Sequence, residues 1–134
     1  MAHPQIKFGT DGWRGVIADD FTFANVRTAA EAIASYVRAQ ELPAEGLCIG
    51  YDTRFGSRAF ARACAEVVAA AGIPVLLSHD IVPTPALSFG VREHQCAGGI
   101  MITSSHNPAQ WSGVKYKAWY GGSGKPSIMA GIES

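Results

Sequence analysis

Along this chain, short unbroken apolar runs alternate with stretches in which apolar positions recur every three to four residues, a pattern that predicts strands followed by helices. Phe23, Val26, Ala30, Ile33 and Val37 repeat at helical spacing to about Arg38, and Thr22, behind Asp19 and Asp20, is placed to cap that helix. Leu47 to Tyr51 reads as a buried strand. Phe60, Cys64, Val67, Val68 and Ala71 share one face of a second helix, with Ser57 as its simplest cap and Gly72 as its stop. Val75 to Leu77 is the next strand, and Thr84 as cap with Pro85 in the first turn opens a short helix that ends near His94. Ala97 to Ile102 is a further apolar strand, and Val114 to Trp119 alternates like one more. Near the amino end, Ile6 to Phe8 predicts a short strand. Residues 9–15 then break any period with Gly9, Gly12 and Gly15 before Val16 to Ala18 resume an apolar run.

Strands this continuously apolar need cover on both faces, so the pattern predicts an α/β fold: a three-layer α/β/α domain with a mixed, mostly parallel sheet. The sheet is mixed because Val114 to Trp119 follows a loop rather than a helix and is therefore read as antiparallel. Residues 1–120 form this domain. Residues 121–134, opening Gly121-Gly122-Ser123-Gly124-Lys125-Pro126, read as a linker and the start of a next segment.

A chain of 134 residues with 48% hydrophobic and 16% charged side chains is long and apolar enough for one globular core. Eleven basic and eleven acidic side chains cancel, so nothing in the global charge draws the chain to nucleic acid or to an anionic membrane. Any anion site must be local. Cys48, Cys64 and Cys96 are odd in number, widely spaced and set in apolar patterns, which points to buried reduced thiols rather than a disulfide frame or a metal site. The start MAHPQIKFG is too polar and short for a signal or a span, and the expected compartment is the cytoplasm.

The chemistry gathers where Ile100-Met101-Ile102 stops at Thr103-Ser104-Ser105-His106-Asn107-Pro108. That polar loop sets hydroxyls, an imidazole and an amide at the carboxyl end of a strand, the edge at which α/β sheets place ligands. The following strand returns Lys115 beside it, with Lys117 sharing its parity. A hydroxyl with a cation brought back to it outlines phosphoryl transfer. Asp52, Arg54 and Ser57, after Leu47 to Tyr51, fall at the same edge; Asp52 and Arg54 either pair with each other or touch substrate. Arg14, in the glycine-rich stretch, presents a planar fork suited to phosphate if that stretch approaches the loop. The adjacent Asp19 and Asp20 supply too few oxygens for a hard cation. Neither G-x-G-x-x-G, a P-loop nor a G-x-S-x-G elbow occurs.

The segment TSSHNP with Gly113 and Lys115 resembles the phosphoserine loop of the α-D-phosphohexomutases, the phosphoglucomutase and phosphomannomutase family, and FGTDGWRG resembles that family's amino-terminal signature. Gly50-Tyr51-Asp52-Thr53-Arg54 is similar to its Gly-x-Asp-x-Arg pattern. Ser104 stands where the family has alanine or glycine, and Ser112-Gly113 replaces Asn-Gly. The resemblance implies an isomerase that acts by intramolecular phosphoryl transfer between hexose 1-phosphate and hexose 6-phosphate, through a phosphoserine and a hexose 1,6-bisphosphate. It implies Ser105 as phosphoryl carrier and, through its phosphate, as a ligand of one Mg2+. Lys115 and Arg14 then offset phosphate charge, and His106 either donates to a phosphate oxygen or holds the loop. Thr103, Ser104, Asn107 and Arg54 line the phosphate site. It also implies three further domains in contact with this one; the chain carries no Asp-Gly-Asp-Gly-Asp metal loop, sugar loop or phosphate-clamping loop, so alone it is expected to be inactive. The alternative reading is a stand-alone, non-catalytic module that binds phosphate or a sugar phosphate.

Overall fold

The computed structural model describes residues 6–8, 12–40, 46–105 and 107–133. Among the described residues, five strands and four helices follow one another in the order β1 (Gly12–Val16), α1 (Phe23–Ala39), β2 (Leu47–Tyr51), α2 (Ser57–Ala70), β3 (Val75–Leu77), α3 (Thr84–Glu93), β4 (Gly98–Ile102), β5 (Trp111–Ala118) and α4 (Pro126–Glu133). They form a single sheet in the order β1-β5-β4-β2-β3. β2, β3 and β4 run parallel, and β5 runs antiparallel between β4 and β1. The predicted mixed α/β sheet is therefore the one observed.

Paired residues share a face, and the two faces differ in chemistry. Ile49, Ile100, Ile102, Val114, Tyr116 and Trp13 point into the main core with α1, α2 and α4. Cys48 and Met101 point the other way, where Leu87 and Val91 of α3 cover them. The register sets Met101 opposite Lys115, Lys115 opposite Gly12, and Gly113 opposite Arg14. The face that α3 covers over β2 and β4 thus becomes basic over β5 and β1.

Local signals hold at the helix ends of the main core. Thr22 caps α1, its hydroxyl accepting from the Asn25 N–H at 3.2 Å, and Gly72 stops α2 in a left-handed conformation at φ 85°. At the amino end of α2 the expectation is corrected: Gly56, left-handed at φ 74°, is the N-cap, and the Ser57 hydroxyl donates to Asp52 instead. In α3 the cap is Pro83, one residue before the expected Thr84.

Two expectations at the termini give way to tertiary packing. The strand falls at Gly12–Val16 within the glycine-rich stretch, while Ile6–Phe8 lies outside the sheet. Glycine suits this strand because it runs hard against β5: a side chain at Gly12 would collide with the Val114 carbonyl. Of the segment read as a linker and a beginning, Pro126–Glu133 form α4. Met129 and Ile132 are buried in the core beside α1, burial that contributes about 1.5–3 kcal/mol per side chain relative to exposure. The Glu133 carboxylate accepts the Phe8 N–H at 2.6 Å, so the two ends of the described chain meet.

Candidate active site

The loop after β4 is shaped by its own polar groups. Thr103 N–H still donates to the Gly113 carbonyl at 3.0 Å, after which the chain leaves the sheet. The Thr103 hydroxyl then accepts the Ser105 N–H at 3.1 Å, and the Ser104 carbonyl accepts the Asn107 N–H at 3.0 Å. Between these bonds Ser105 adopts a left-handed backbone, φ 53°, which costs a non-glycine residue about 1–3 kcal/mol. The strain has a visible result. Ser105 is exposed, and its Oγ accepts a hydrogen bond from the buried Lys115 Nζ at 2.5 Å.

Lys115 reaches the loop because β5 is wedged closely between its neighbours. At Gly113 a Cβ would lie 2.7 Å from the Thr103 carbonyl oxygen and 2.8 Å from that of Trp13, so only glycine permits the approach. It would also lie 3.1 Å from Arg14 Cγ, which shows the stem of the exposed Arg14 crossing Gly113 on the face that carries Lys115. Lys117 shares that face but sits opposite Gly99, toward the other end of β4, and its Nζ donates to the Ser123 hydroxyl at 3.2 Å. Strand parity leaves the two lysines equivalent; register separates them.

Arg54 holds the loop from beneath. Its Nε donates to Asp52 Oδ2 at 3.2 Å; Nη1 donates to the carbonyls of Pro108 at 2.8 Å and Trp111 at 3.0 Å; Nη2 donates to those of Ser105 and Asn107, both at 2.8 Å. A guanidinium has five N–H donors, and these five bonds use them. The expected phosphate ligand thus faces the underside of the loop, and the Asp52–Arg54 pairing is the one formed. Asp52 is equally committed, accepting the Arg54 N–H at 3.0 Å and the Ser57 hydroxyl at 2.7 Å through Oδ1.

The structure therefore brings together Ser105, Lys115, Thr103, Ser104, Asn107 and Arg54, with Arg14 on the adjoining strand. Thr103 faces its own loop, and Ser104 is fully buried. His106 lies outside the described residues, as do Gly9, Thr10 and Asp11 of the amino-terminal signature. The sequence alone made Ser57 a helix cap and left Asp52 to Arg54 or substrate; the bond it missed is the one between Ser57 and Asp52, five residues apart across a strand-to-helix turn.

The Ser104 and Ser112 hydroxyls, the two departures from the family pattern, are buried without a hydrogen-bond partner among the described residues. A buried hydroxyl left unpaired costs about 1–3 kcal/mol. Ser104→Ala is expected to raise the thermal midpoint, by an amount equivalent to about 1 kcal/mol; a lowered midpoint in calorimetry shows that the hydroxyl is satisfied after all.

For the metal, no group of three or more His, Cys, Asp and Glu converges among the described residues, and Asp52 is already bound to Arg54 and Ser57. Among the described residues Mg2+ would find a single ligand, an oxygen on Ser105 were that residue phosphorylated. The thiols are no substitute: Cys48, Cys64 and Cys96 are free and buried, and burial pushes Cys64 up to about 12.

The fold and site together define a class: an α/β/α domain that presents a strained serine and a buried lysine at the carboxyl edge of its central strands. Within that class the family is specific. Residues 5–134 match the model of the phosphoglucomutase/phosphomannomutase family, alpha/beta/alpha domain I, and the chain belongs to that family. It is 39% identical over 113 residues to a phosphoglucomutase of Staphylococcus saprophyticus, covering 82% of this chain and 20% of that protein. It is 37% identical over 122 residues to a phosphoribomutase of Saccharomyces cerevisiae, covering 87% and 19%. A crystal structure from Thermus thermophilus, of a protein assigned as a phosphomannomutase, superposes with a TM-score of 0.93 at 45% identity, over 98% of this chain and 30% of that one. The chain thus spans between about a fifth and a third of the relatives it matches. None of its described helices is long and apolar enough to cross a membrane.

Proposed function

We propose that these residues are the phosphoserine domain of a longer mutase that interconverts sugar 1-phosphate and sugar 6-phosphate through a sugar bisphosphate. The observation that carries the reading is the hydrogen bond from Lys115 Nζ to Ser105 Oγ on a left-handed turn at the end of β4. In the forward step the sugar hydroxyl oxygen forms the new bond to phosphorus as the bond to Ser105 Oγ breaks. Lys115 gives a proton to the departing Oγ and takes back the one released by the sugar hydroxyl, so both sides balance. The second half runs in reverse and returns the other phosphoryl group to Ser105. Because the transition state is loose, cations matter more than covalent help, and Lys115 and Arg14 lie toward the serine end of this face, whereas Lys117 lies toward the other end. A Mg2+ held through an oxygen of a Ser105 phosphate would supply further charge neutralisation there.

The sugar is a hexose phosphate in this reading, and the pentose-phosphate relative makes ribose 1-phosphate the necessary comparison. The test is turnover of glucose, mannose and ribose 1-phosphates, with magnesium, by the complete reading frame and by residues 1–134 alone. The complete frame is expected to turn over and residues 1–134 to remain at background. A complete frame that binds sugar phosphate tightly, without turnover or phosphoserine, replaces this reading with that of a binding module.

A further inference from the structure

We infer that Arg54 is the positioning residue of the phosphoserine loop: by closing its guanidinium on three loop carbonyls, on the first carbonyl of β5 and on Asp52, it fixes the left-handed turn that aims Ser105 at Lys115. The inference rests on the mutase reading for its kinetic arm and on geometry alone for its structural one.

Both flanks of Ser105 are held. The Thr103 hydroxyl accepts from its N–H, and Arg54 Nη2 donates to its carbonyl, the group whose direction is set by the ψ rotation of Ser105. A left-handed serine persists only where its surroundings over-determine it, and these two bonds are the determination. The same Nη2 reaches the Asn107 carbonyl, while Nη1 reaches those of Pro108 and Trp111, so one planar group gathers the loop from its start to the first residue of β5. Nε is in turn held by Asp52, which also accepts the Ser57 hydroxyl and so ties the clamp to α2. The guanidinium charge is met by this carboxylate and by carbonyl dipoles rather than by phosphate. Its side chain is only 12% exposed, in keeping with a group enclosed by the loop.

Lysine cannot do this. An ammonium has three donors radiating from one atom, whereas the five acceptors here surround a flat fork. In the complete reading frame, Arg54→Lys is expected to lower kcat about a hundredfold, the scale of loss that misplacement by about 1 Å produces, with KM for the sugar phosphate unchanged. Amide hydrogen exchange is expected to accelerate across 107–112 while α1, β2 and β4 keep their protection. Arg62→Gln, which removes an exposed helix pair with Glu66, is the control and leaves both readouts at wild type. Should Arg54→Lys fail to fold, Asp52→Asn loosens the base of the same clamp and is read in the same two ways with a smaller loss.

Wild-type kcat in a folded variant, unchanged exchange over 107–112, or loss of protection spread equally over β2 and β4 each overturns the inference. If the wild-type frame shows no Ser105-dependent turnover, it is the mutase reading that has failed, and the exchange arm still decides the role of Arg54.

Discussion

Ser105→Ala, in the complete reading frame, is expected to reduce mutase turnover by about a thousandfold or more while leaving the fold and its thermal midpoint nearly unchanged. The size follows from what is removed: without Oγ no phosphoryl group can be stored between the two half-reactions. The neighbouring Ser104 cannot take over, because its hydroxyl is buried beneath the loop whereas Ser105 is exposed. Fold is spared for the same reason, since the side chain deleted contributes no core contact. The left-handed backbone raises a competing explanation, that alanine relaxes the turn. Ser105→Gly separates the two, for glycine adopts that conformation without cost yet carries no hydroxyl. Steady-state turnover and mass spectrometry of the peptide containing residue 105 measure both variants. Retained turnover, or a phosphoryl group found on Ser104, assigns the chemistry to another residue.

The parts of the fold that sequence made legible are those whose causes are local. Helix α1 announces itself through Thr22 and a clean apolar stripe, α2 through Gly72, and the direction of β5 through the short connection that precedes it. β1 was not legible because its identity lies in its partner. Gly12-Trp13-Arg14-Gly15-Val16 has no strong strand composition, and becomes a strand because glycine allows it to lie tightly along β5. α4 is a similar case: the Gly-Gly-Ser-Gly lead-in reads as linker, although Met129 and Ile132, one turn apart behind Pro126, were the available signal.

At the site, strand logic brought Lys115 to Ser105, but the role of Arg54 depended on contacts reaching from position 54 to position 111. Pairing with Asp52 was one of two open readings from spacing; the four carbonyl bonds exist only because the loop folds around the guanidinium. A motif records which residue types recur together. It does not say whether an arginine faces the ligand or the backbone that shapes the ligand's site. That distinction requires the carbonyl directions, which no side-chain pattern encodes.

Lys115→Gln is expected to lower kcat about a hundredfold to ten-thousandfold, within the range typical for loss of a positioned proton carrier. The lysine is buried on β5, and its Nζ already touches Ser105 Oγ, the oxygen that gains or loses a proton in the proposed step, so glutamine removes both charge and proton from that point. Lys115→Arg tells the two contributions apart: it restores a cation, but one that does not release its proton in proteins. If the proton is what matters, the arginine variant falls nearly as far as glutamine; if it recovers most of the turnover, Lys115 acts by charge alone and the proton step belongs elsewhere. Lys117→Gln completes the argument. It has the same strand parity and the same chemistry, but its Nζ is at Ser123, so turnover should survive. A loss there comparable to that of Lys115→Gln contradicts the register that places Lys115, and not Lys117, at the loop that carries Ser105.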